Sequence, residues 1–294
     1  MKKFFLHKIH KSLLKGSVKK ERERILQWNE SSPLVYGLNR VPRSPQVIVS
    51  MTSFTKRFPT IHICLKSLLN QSVKADKIIV WLGPDVQKSD ITKEMLELEE
   101  YGVEYEFVSL DLKPHKKYYY AMQQYPDAII ITVDDDVVYA KDTLESLLKT
   151  HQKYPKAVCA RRVHYMAIKN GVILPYNDWK QECRDVKKPS YRLISTGVGG
   201  VLYPPHLLDP QVLDLDKIQL LCLNADDIWL KWMALLKHVP VVWTPCLLPL
   251  PPVIDSAQEI ALFKSNVKKS SNDEYIQTML KEFPKVTSFL LENK

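Results

Sequence analysis

The clearest pattern along the chain is an aliphatic run that ends on three consecutive carboxylates. Residues 128–133 read AIIITV, in which Thr132 is the one polar member, and Asp134, Asp135 and Asp136 follow directly. A run without polar alternation is typical of a strand that is covered on both faces. It predicts a central strand of a parallel sheet, with the three acids at the carboxyl edge, where ligands bind in such sheets.

Other apolar runs alternate with segments of helical spacing. Strands are predicted at residues 47–51, 77–82, 104–110, 157–161 and 239–243. Helices are predicted at residues 61–69, 92–101, 116–125, 142–154, 226–236, 259–263 and 273–283. Alternation of strand and helix is the signature of a doubly wound sheet. The predicted fold class is therefore α/β, a Rossmann-like, mostly parallel central sheet flanked by helices.

The three acids predict a metal site. In an extended chain Asp134 and Asp136 would face one way and Asp135 the other. Adjacent carboxylates repel one another, and a hard divalent cation with oxygen ligands would neutralise them. The alternative is a polar turn whose acids cap the next helix, because Asp is common at turns and helix starts.

Length and composition indicate an ordinary globular protein. A chain of 294 residues, 45% of them hydrophobic, can bury a substantial core. The five cysteines are widely spaced and form no CxxC pair. They argue for a reducing compartment and against a zinc or disulfide framework.

Most of the positive charge lies in an N-terminal arm. Residues 1–26 carry +7 of the net +9, and Phe5, Ile9 and Leu13 recur at every fourth position among lysines. This is the pattern of an amphipathic helix that lies on an anionic membrane surface, and a solvated basic tail is the alternative. The run Phe4–Leu6 is too short for a signal peptide, and no later segment has about 18 consecutive apolar residues, so no transmembrane helix is predicted. Because the excess charge is confined to the arm, nucleic acid is not an expected partner.

Four segments in order carry a family resemblance. They are VIVSMTSFTKRF from Val47, TVDDDVVY from Thr132, STGVGGVLYPP from Ser195 and NADDIWLKWMALL from Asn224. Together they resemble the inverting glycosyltransferases of family 2, which have the GT-A fold, and more closely a bacterial branch associated with surface glycans. The resemblance covers residues 46–252.

The resemblance implies metal-dependent transfer of a sugar from a nucleotide sugar, with a UDP-sugar as the expected donor and Mn²⁺ or Mg²⁺ as the cofactor. The implied acceptor is a bacterial surface glycan or glycolipid, such as lipooligosaccharide, lipopolysaccharide or capsule. The expected organisation is a basic arm and linker at 1–45, a GT-A domain at 46–255 and a C-terminal helical extension at 256–294. With the arm on an anionic membrane, the expected location is the inner face of the cytoplasmic membrane.

The chemistry of the reaction accounts for the two acidic groups. Transfer passes through an oxocarbenium-like state while a diphosphate departs, and a metal held by carboxylates stabilises that leaving group. By resemblance the metal ligands are Asp134 and Asp136, while Asp135 either contacts the donor or is only solvated. An inverting transfer also needs a base for the acceptor hydroxyl. Asp226 and Asp227 fit that role, with Asp227 preferred, and helix capping is the alternative.

The remaining site residues fall into two groups. The expected donor side comprises Thr52, Ser53, Lys116, Lys117, Asp134, Asp135, Gly199 and Gly200. The expected acceptor side comprises Arg161, Arg162, His164, Trp179 and Trp229. The alternatives are an exposed helix start for the two lysines, a bulge or tight bend for the glycines, a core aromatic for Trp229, and a hydrogen-bonded rather than metal-ligating His164.

The segment after strand two differs from the family pattern. The acid that commonly follows strand two in the family is replaced here by Trp81, Leu82 and Gly83, which leaves uridine specificity open.

The rival functions are a nucleotidyltransferase or metal-dependent phosphodiesterase, and a non-catalytic basic binding module. The former is disfavoured because the chain has no glycine-rich phosphate loop, and the latter because the folded body is nearly neutral.

Overall fold

A seven-stranded sheet forms the centre of the protein in the computed structural model, which describes residues 2–254 and 271–292, with side chains from 16 to 254 and from 272 to 290. The strands are β1 (Val47–Ser53), β2 (Lys77–Leu82), β3 (Val103–Phe107), β4 (Ile129–Thr132), β5 (Val158–Ala160), β6 (Val163–Tyr165), β7 (Ile168–Lys169), β8 (Val172–Ile173), β9 (Leu193–Ser195), β10 (Val201–Tyr203) and β11 (Val241–Trp243). The helices are α1 (Lys2–Ser31), α2 (Phe58–Leu69), α3 (Lys93–Glu99), α4 (Lys116–Gln124), α5 (Thr143–Lys153), α6 (Leu215–Leu221), α7 (Asp226–Leu236), α8 (Ser271–Glu282) and α9 (Pro284–Glu292).

The strand order is β11-β5-β10-β4-β1-β2-β3, so β4 lies at the middle of the sheet. Strand β1 pairs in parallel with β2 and β4, and β2 pairs in parallel with β3. This confirms the predicted α/β class. The exception is β10, which is antiparallel to both β4 and β5 and comes from the glycine-rich segment.

The aliphatic run of β4 is buried on both faces, as its lack of alternation predicts. Ile129 and Ile131 pack into one large core together with α2 and α5, while Ile130 packs on the opposite face with Ile48 and Trp81. Because the strand is covered on both sides, only its carboxyl end, with the three acids, reaches solvent.

A second core surrounds α7 and contains the C-terminal helices. Trp229 of α7 contacts Phe283 edge to face with ring centroids 6.5 Å apart, and Met279 and Leu290 are fully buried beside this helix. Helix α8 was predicted, α9 was not, and the helix predicted at 259–263 lies outside the described residues.

The last turns of α1 join the arm to the sheet domain. Ile25 is buried in the large core, and the Asn29 side-chain amide donates to the carbonyl of Ile63 at 3.0 Å. The predicted apolar stripe at Phe5, Ile9 and Leu13 lies outside the residues whose side chains are described. In the described residues, no helix has both the length and the apolar character needed to cross a membrane.

Candidate active site

The carboxyl ends of β1 and β4 place the first acidic group. Their parallel register sets Ser50 beside Thr132, so the residues that follow the two strands emerge side by side. The Ser53 hydroxyl donates to Asp135 Oδ2 at 2.6 Å. The expectation that Asp135 is solvated is wrong, because its side chain is only 11% exposed. Burial is the main reason that its pKa is raised to about 7.

A buried arginine pairs with the last of the three acids. Arg57 Nη2 donates to Asp136 Oδ2 at 3.1 Å, and its Nε lies 3.9 Å from Asp135 Oδ1. Burial and the neighbouring Asp134 raise the pKa of Asp136, while Arg57 opposes the rise. Sequence reasoning did not single out Arg57, although its position just after a sheet strand in TSFTKRF was an available signal.

Lys117 joins the two acidic groups. Its Nζ lies 2.9 Å from Asp134 Oδ1 and 2.9 Å from Asp226 Oδ2. Burial alone would lower the pKa of Lys117, but the two carboxylates raise it well above its usual value. The backbone of Lys117 is fixed as well, because the Ser50 hydroxyl donates a hydrogen bond to the Lys117 carbonyl at 2.5 Å. The alternative of an exposed helix start is therefore wrong for Lys117.

Asp226 and Asp227 occupy the first turn of α7 without capping it. The N-cap residue is Ala225, and no side chain caps the helix, so the capping alternative is wrong. The Gly197 N–H donates to both carboxylate oxygens of Asp227, at 3.0 and 3.2 Å. Burial, followed by the neighbouring Asp226, raises the pKa of Asp227 to about 8, and Lys117 opposes this rise.

The three glycines of the TGVGG segment have different tasks. A Cβ on Gly197 would lie 2.8 Å from Lys117 Nζ and 3.3 Å from Asp134 Oδ1, so a larger residue there would displace the Lys117 ammonium group. Gly200 has φ of +88° and turns the chain into β10, which agrees with the tight-bend alternative. A Cβ on Gly199 would meet the Arg162 side chain at 2.9 Å. Of the three glycines that the sequence indicated, Gly197 is therefore the one that lies in the acidic cluster.

A second polar group lies at the ends of β2 and β3. Lys116 is buried and pairs with Asp111, so the alternative of an exposed helix start is wrong for Lys116 as well. Burial would raise the pKa of Asp111, but Lys113 and Lys116 lower it to about 2. Lys116 lies close to Gly83, at the end of β2, where an added Cβ would come 3.5 Å from its Nζ.

Thr52, also predicted for the donor side, donates its hydroxyl to the Trp81 carbonyl at 2.8 Å. This bond ties the end of β1 to β2. The side chain therefore has a structural partner in addition to its expected place at the donor side.

Three of the predicted acceptor-side residues present no free surface. Arg161 Nη1 donates to Thr143 Oγ1 at 2.9 Å and so anchors the start of α5. Trp229 is fully buried and donates its indole N–H to the Val212 carbonyl. Trp179 is 3% exposed. These three assignments are wrong, because the side chains are packed inside the protein.

Two other residues, Arg162, which was also expected on the acceptor side, and Tyr176, lie near the acidic group at the start of α7. Arg162 Nη1 donates to Thr196 Oγ1 at 3.0 Å, next to the glycine that binds Asp227. Burial, followed by the charge of Asp227, raises the pKa of Tyr176 to about 12. His164 accepts a hydrogen bond from the Glu182 N–H at 3.0 Å, and burial is the main reason that its pKa is lowered to about 3. His164 is thus the hydrogen-bonded histidine of the alternative interpretation.

The charges of the cluster fit a divalent cation. Five aspartates meet two buried cations, Lys117 and Arg57, and the surplus of negative charge contributes to the raised pKa of Asp135 and Asp227. Among the described residues, no three acidic, histidine or cysteine side chains converge to hold a metal alone. Ions such as Mg²⁺ commonly use one or two carboxylates together with substrate phosphates, so two outer aspartates are a sufficient protein contribution.

Comparison with known proteins identifies a family. The family model described as Glycosyl transferase family 2 matches residues 49–199, which is half of the chain. The match includes most of β1, the three acids and the start of the glycine-rich segment, and it ends before Asp226. A search of curated protein sequences finds no match.

Comparison with solved structures finds a mannosyltransferase and, at lower similarity, a second nucleotide-bound protein. The mannosyltransferase PcManGT from Pyrobaculum calidifontis, in complex with GDP-Man and Mn²⁺, is 13% identical, with a TM-score of 0.53 over 96% of this chain and 77% of that chain. Residues 1–349 of S. aureus TarS, in complex with UDP, are 16% identical, with a TM-score of 0.45 over 68% of this chain and 59% of that chain. At 13% identity, the first likeness shows a shared GT-A-like fold and no more.

Proposed function

The chain belongs to glycosyl transferase family 2, enzymes that transfer a sugar from a nucleotide sugar, and we propose that it inverts the anomeric carbon with Asp227 as the general base. The observation that carries the proposal is the environment of Asp227. A general base works best with a pKa near the operating pH, and burial beside Asp226 raises the pKa of Asp227 to about 8. The Gly197 N–H fixes the orientation of the carboxylate.

The two acidic groups divide the work of the reaction. Inversion requires the base and the leaving group on opposite faces of the sugar carbon. Asp134 lies on the β4 side and Asp227 on the α7 side, with Lys117 between the two groups. In this proposal the donor diphosphate lies on the β4 side and the acceptor hydroxyl on the α7 side.

Asp134 and Asp136 would hold Mn²⁺ or Mg²⁺ on the donor side. When bound, the cation supplies Lewis-acid stabilisation of the departing diphosphate. Ser53 keeps Asp135 in place beneath the site, and Arg57 and Lys117 provide fixed positive charge next to it.

The proposed donor is a UDP-sugar. The Lys116 group at the ends of β2 and β3 offers polar atoms for the nucleoside. Its Asp111 carboxylate is kept ionised by two lysines, and a carboxylate can accept from the ring N–H of a nucleobase. Thr52 lies at the end of the adjacent strand β1.

The proposed acceptor is a bacterial surface glycan or glycolipid at the inner face of the cytoplasmic membrane. The support is the charge of α1, which carries most of the protein's excess and would lie on anionic lipid. In this proposal the acceptor side is lined by Arg162, which the sequence also indicated, and by Tyr176, and not by the buried Arg161, Trp179 and Trp229.

Calorimetric titration of a nucleotide-sugar panel, with and without Mn²⁺, tests the donor and the metal. We expect one donor to bind in a Mn²⁺-dependent way, and Asp136→Ala to weaken that binding by about 100-fold, because it removes a metal ligand. The matched control is Asp185→Ala, an exposed carboxylate paired with Lys180 away from the cluster. Equal binding to Asp136→Ala and wild type would exclude Asp136 as a ligand.

Sedimentation with vesicles tests the arm. We expect deletion of residues 2–15, which carry five lysines, to reduce binding to phosphatidylglycerol vesicles by about tenfold or more. The deletion stops before Val18 and Ile25, which pack against the core, so the body should keep its unfolding midpoint. A matched variant with the five lysines changed to arginine should bind as wild type does. A deletion that still sediments fully would contradict the membrane role.

A further inference from the structure

Two arginines share one carboxylate beside the proposed base. Arg162 Nε donates to Glu182 Oε1 at 3.3 Å, and Arg184 Nη2 lies 4.0 Å from Glu182 Oε2. We call Arg162 and Arg184 the arginine pair. Two guanidinium groups around a single carboxylate leave one unit of positive charge at this place.

The arginine pair is part of the active-site wall. Arg162 Nη1 donates to Thr196 Oγ1, and the next residue, Gly197, donates its N–H to Asp227. The charges of both Arg162 and Asp227 act on Tyr176, which lines the same side. Arg184, the other member of the arginine pair, donates from its Nη1 to the Leu247 carbonyl at 3.2 Å.

The carboxylate between the arginines is held in an unusual conformation. Glu182 has φ of +47°, a left-handed backbone conformation that costs a non-glycine residue energy. Its N–H is fixed by a hydrogen bond to His164 Nδ1, a buried histidine whose pKa is lowered to about 3 by burial and by Arg162. Such backbone strain is typical of functional sites and is maintained here by a specific buried partner.

The charge of the arginine pair is accessible. The Arg162 side chain is 16% exposed and that of Arg184 is 36% exposed. Among the described residues, the hydrogen bonds of Arg162 use Nε and Nη1, and none uses Nη2. A guanidinium fork of this kind matches the planar oxygens of a carboxylate or the oxygens of a phosphate.

We infer that the acceptor is anionic, with a carboxylate or phosphate group close to the reacting hydroxyl, and that the arginine pair binds this group. The inference rests on the proposed function, because it takes the α7 side of the site as the acceptor side. Without acceptor, Glu182 forms ion pairs with both arginines, and the anionic group of the acceptor replaces part of these contacts when it binds. The arginine pair then holds the acceptor while its hydroxyl approaches Asp227.

Calorimetric titration with three sugars tests this inference. The probes are glucuronate, which carries a carboxylate, glucose 6-phosphate, which carries a phosphate, and glucose, which carries neither. We expect one or both anionic sugars to bind about tenfold more tightly than glucose, since a charge-assisted hydrogen bond replaces a neutral one. Comparison of the two anionic sugars distinguishes a carboxylate-bearing from a phosphate-bearing acceptor.

Variants of the cluster separate binding from a structural role. Arg162→Gln should remove most of the tenfold preference, while Arg162→Lys, which keeps the charge and loses the fork, should retain part of it. Glu182→Gln should strengthen anion binding by about threefold, because it removes the competing carboxylate. A purely structural cluster would lose affinity in both the arginine and the glutamate variants. Lys180→Gln is the matched surface control, since Lys180 pairs with Asp185 instead.

The outcomes distinguish this inference from the proposed function. Equal affinity for all three sugars, or an unchanged preference in Arg162→Gln, would overturn the anionic acceptor, and Mn²⁺-dependent donor binding to the same samples would leave the transferase proposal intact. A preference that depends on Arg162 in a protein that binds no nucleotide sugar would support an anion site and overturn its role in glycosyl transfer.

Discussion

Two groups of adjacent aspartates meet at Lys117, and their surroundings differ. In the group at the end of β4, each acid has its own partner, namely Lys117, Ser53 or Arg57, and the side chains are 11–31% exposed. In the group at the start of α7, Asp226 shares the same lysine and Asp227 has a backbone N–H. Asp226 is buried, Asp227 is half-buried as the three β4 acids are, and the only cation paired with the α7 group in the described residues is Lys117, which also pairs with Asp134.

The difference shows how one residue type acquires two functions. A partly exposed carboxylate with a cation partner stays available for a metal ion. Desolvation and the charge of the adjacent Asp226, which Lys117 offsets only in part, raise the pKa of Asp227, which suits a base. The environment therefore divides the aspartates into proposed metal ligands on β4 and a proposed base on α7.

The largest expected effect comes from a change in the α7 group alone. Asp227→Asn should lower turnover by about 1,000-fold, because the amide cannot accept the proton, while donor affinity stays within about twofold of wild type. The measurement is release of nucleoside diphosphate from the donor identified by the panel, together with its calorimetric titration. Turnover near the wild-type value would remove Asp227 as the base. Asp136→Ala should show the opposite split, with donor binding weakened by about 100-fold.

Removal of the shared cation should disturb both groups at once. Lys117→Met leaves Asp134 and Asp226 without their cation, which should cost about 3–5 kcal/mol in the free energy of unfolding. Because Lys117 lowers the pKa of Asp227, the rise of turnover with pH should move to higher pH in this variant. Urea unfolding and a pH–rate profile measure the two effects. Lys116→Met, which removes the partner of Asp111, should leave the pH–rate profile in place.

The smallest expected effect concerns stability and pH. The pKa of Asp227 is raised to about 8 by burial in the folded state, so its contribution to stability is present at low pH and is lost as pH rises toward 8. Relative to wild type, Asp227→Asn should gain about 1.4 kcal/mol of unfolding free energy per pH unit between pH 5 and pH 7.

The histidines do not affect the difference in unfolding free energy between Asp227→Asn and wild type, because they contribute equally to both proteins. Burial lowers the pKa of His115 and His164, and their contributions change with pH in the opposite direction in both proteins. Asp185→Asn is the control, because Lys180 lowers the pKa of Asp185 and this carboxyl is ionised in both states over the same range. A stability difference that does not change with pH would mean that Asp227 is ionised throughout.

The sequence predicted elements wherever the signal was local. The aliphatic run of β4 and the acids after it are adjacent in sequence, and strands β1, β2, β3 and β5 were recognised from their own composition. Helix α9 was missed, since its short apolar pattern becomes meaningful only against α7. Strand β10 was not predicted to be antiparallel, because its direction depends on where the chain returns to the sheet.

The arginines at 161 and 162 show the same limit in the site. Consecutive residues of an extended chain point to opposite sides, and the sequence does not say which side faces the ligand. Sequence reasoning named both arginines for the acceptor side, but Arg161 anchors α5, whereas Arg162 contacts the segment that holds Asp227. Trp229 was misplaced for a related reason, since the C-terminal helices cover it.

By itself the sequence determined the α/β class, the family resemblance and the two acidic groups, because each is written in a short continuous stretch. Tertiary structure decided that Lys117 lies between the groups, that the Gly197 N–H donates a hydrogen bond to Asp227, and that Arg57 pairs with Asp136. These contacts join residues that are far apart in the chain. Burial and charge partners set the pKa of a carboxylate, and both arise only when distant segments pack together.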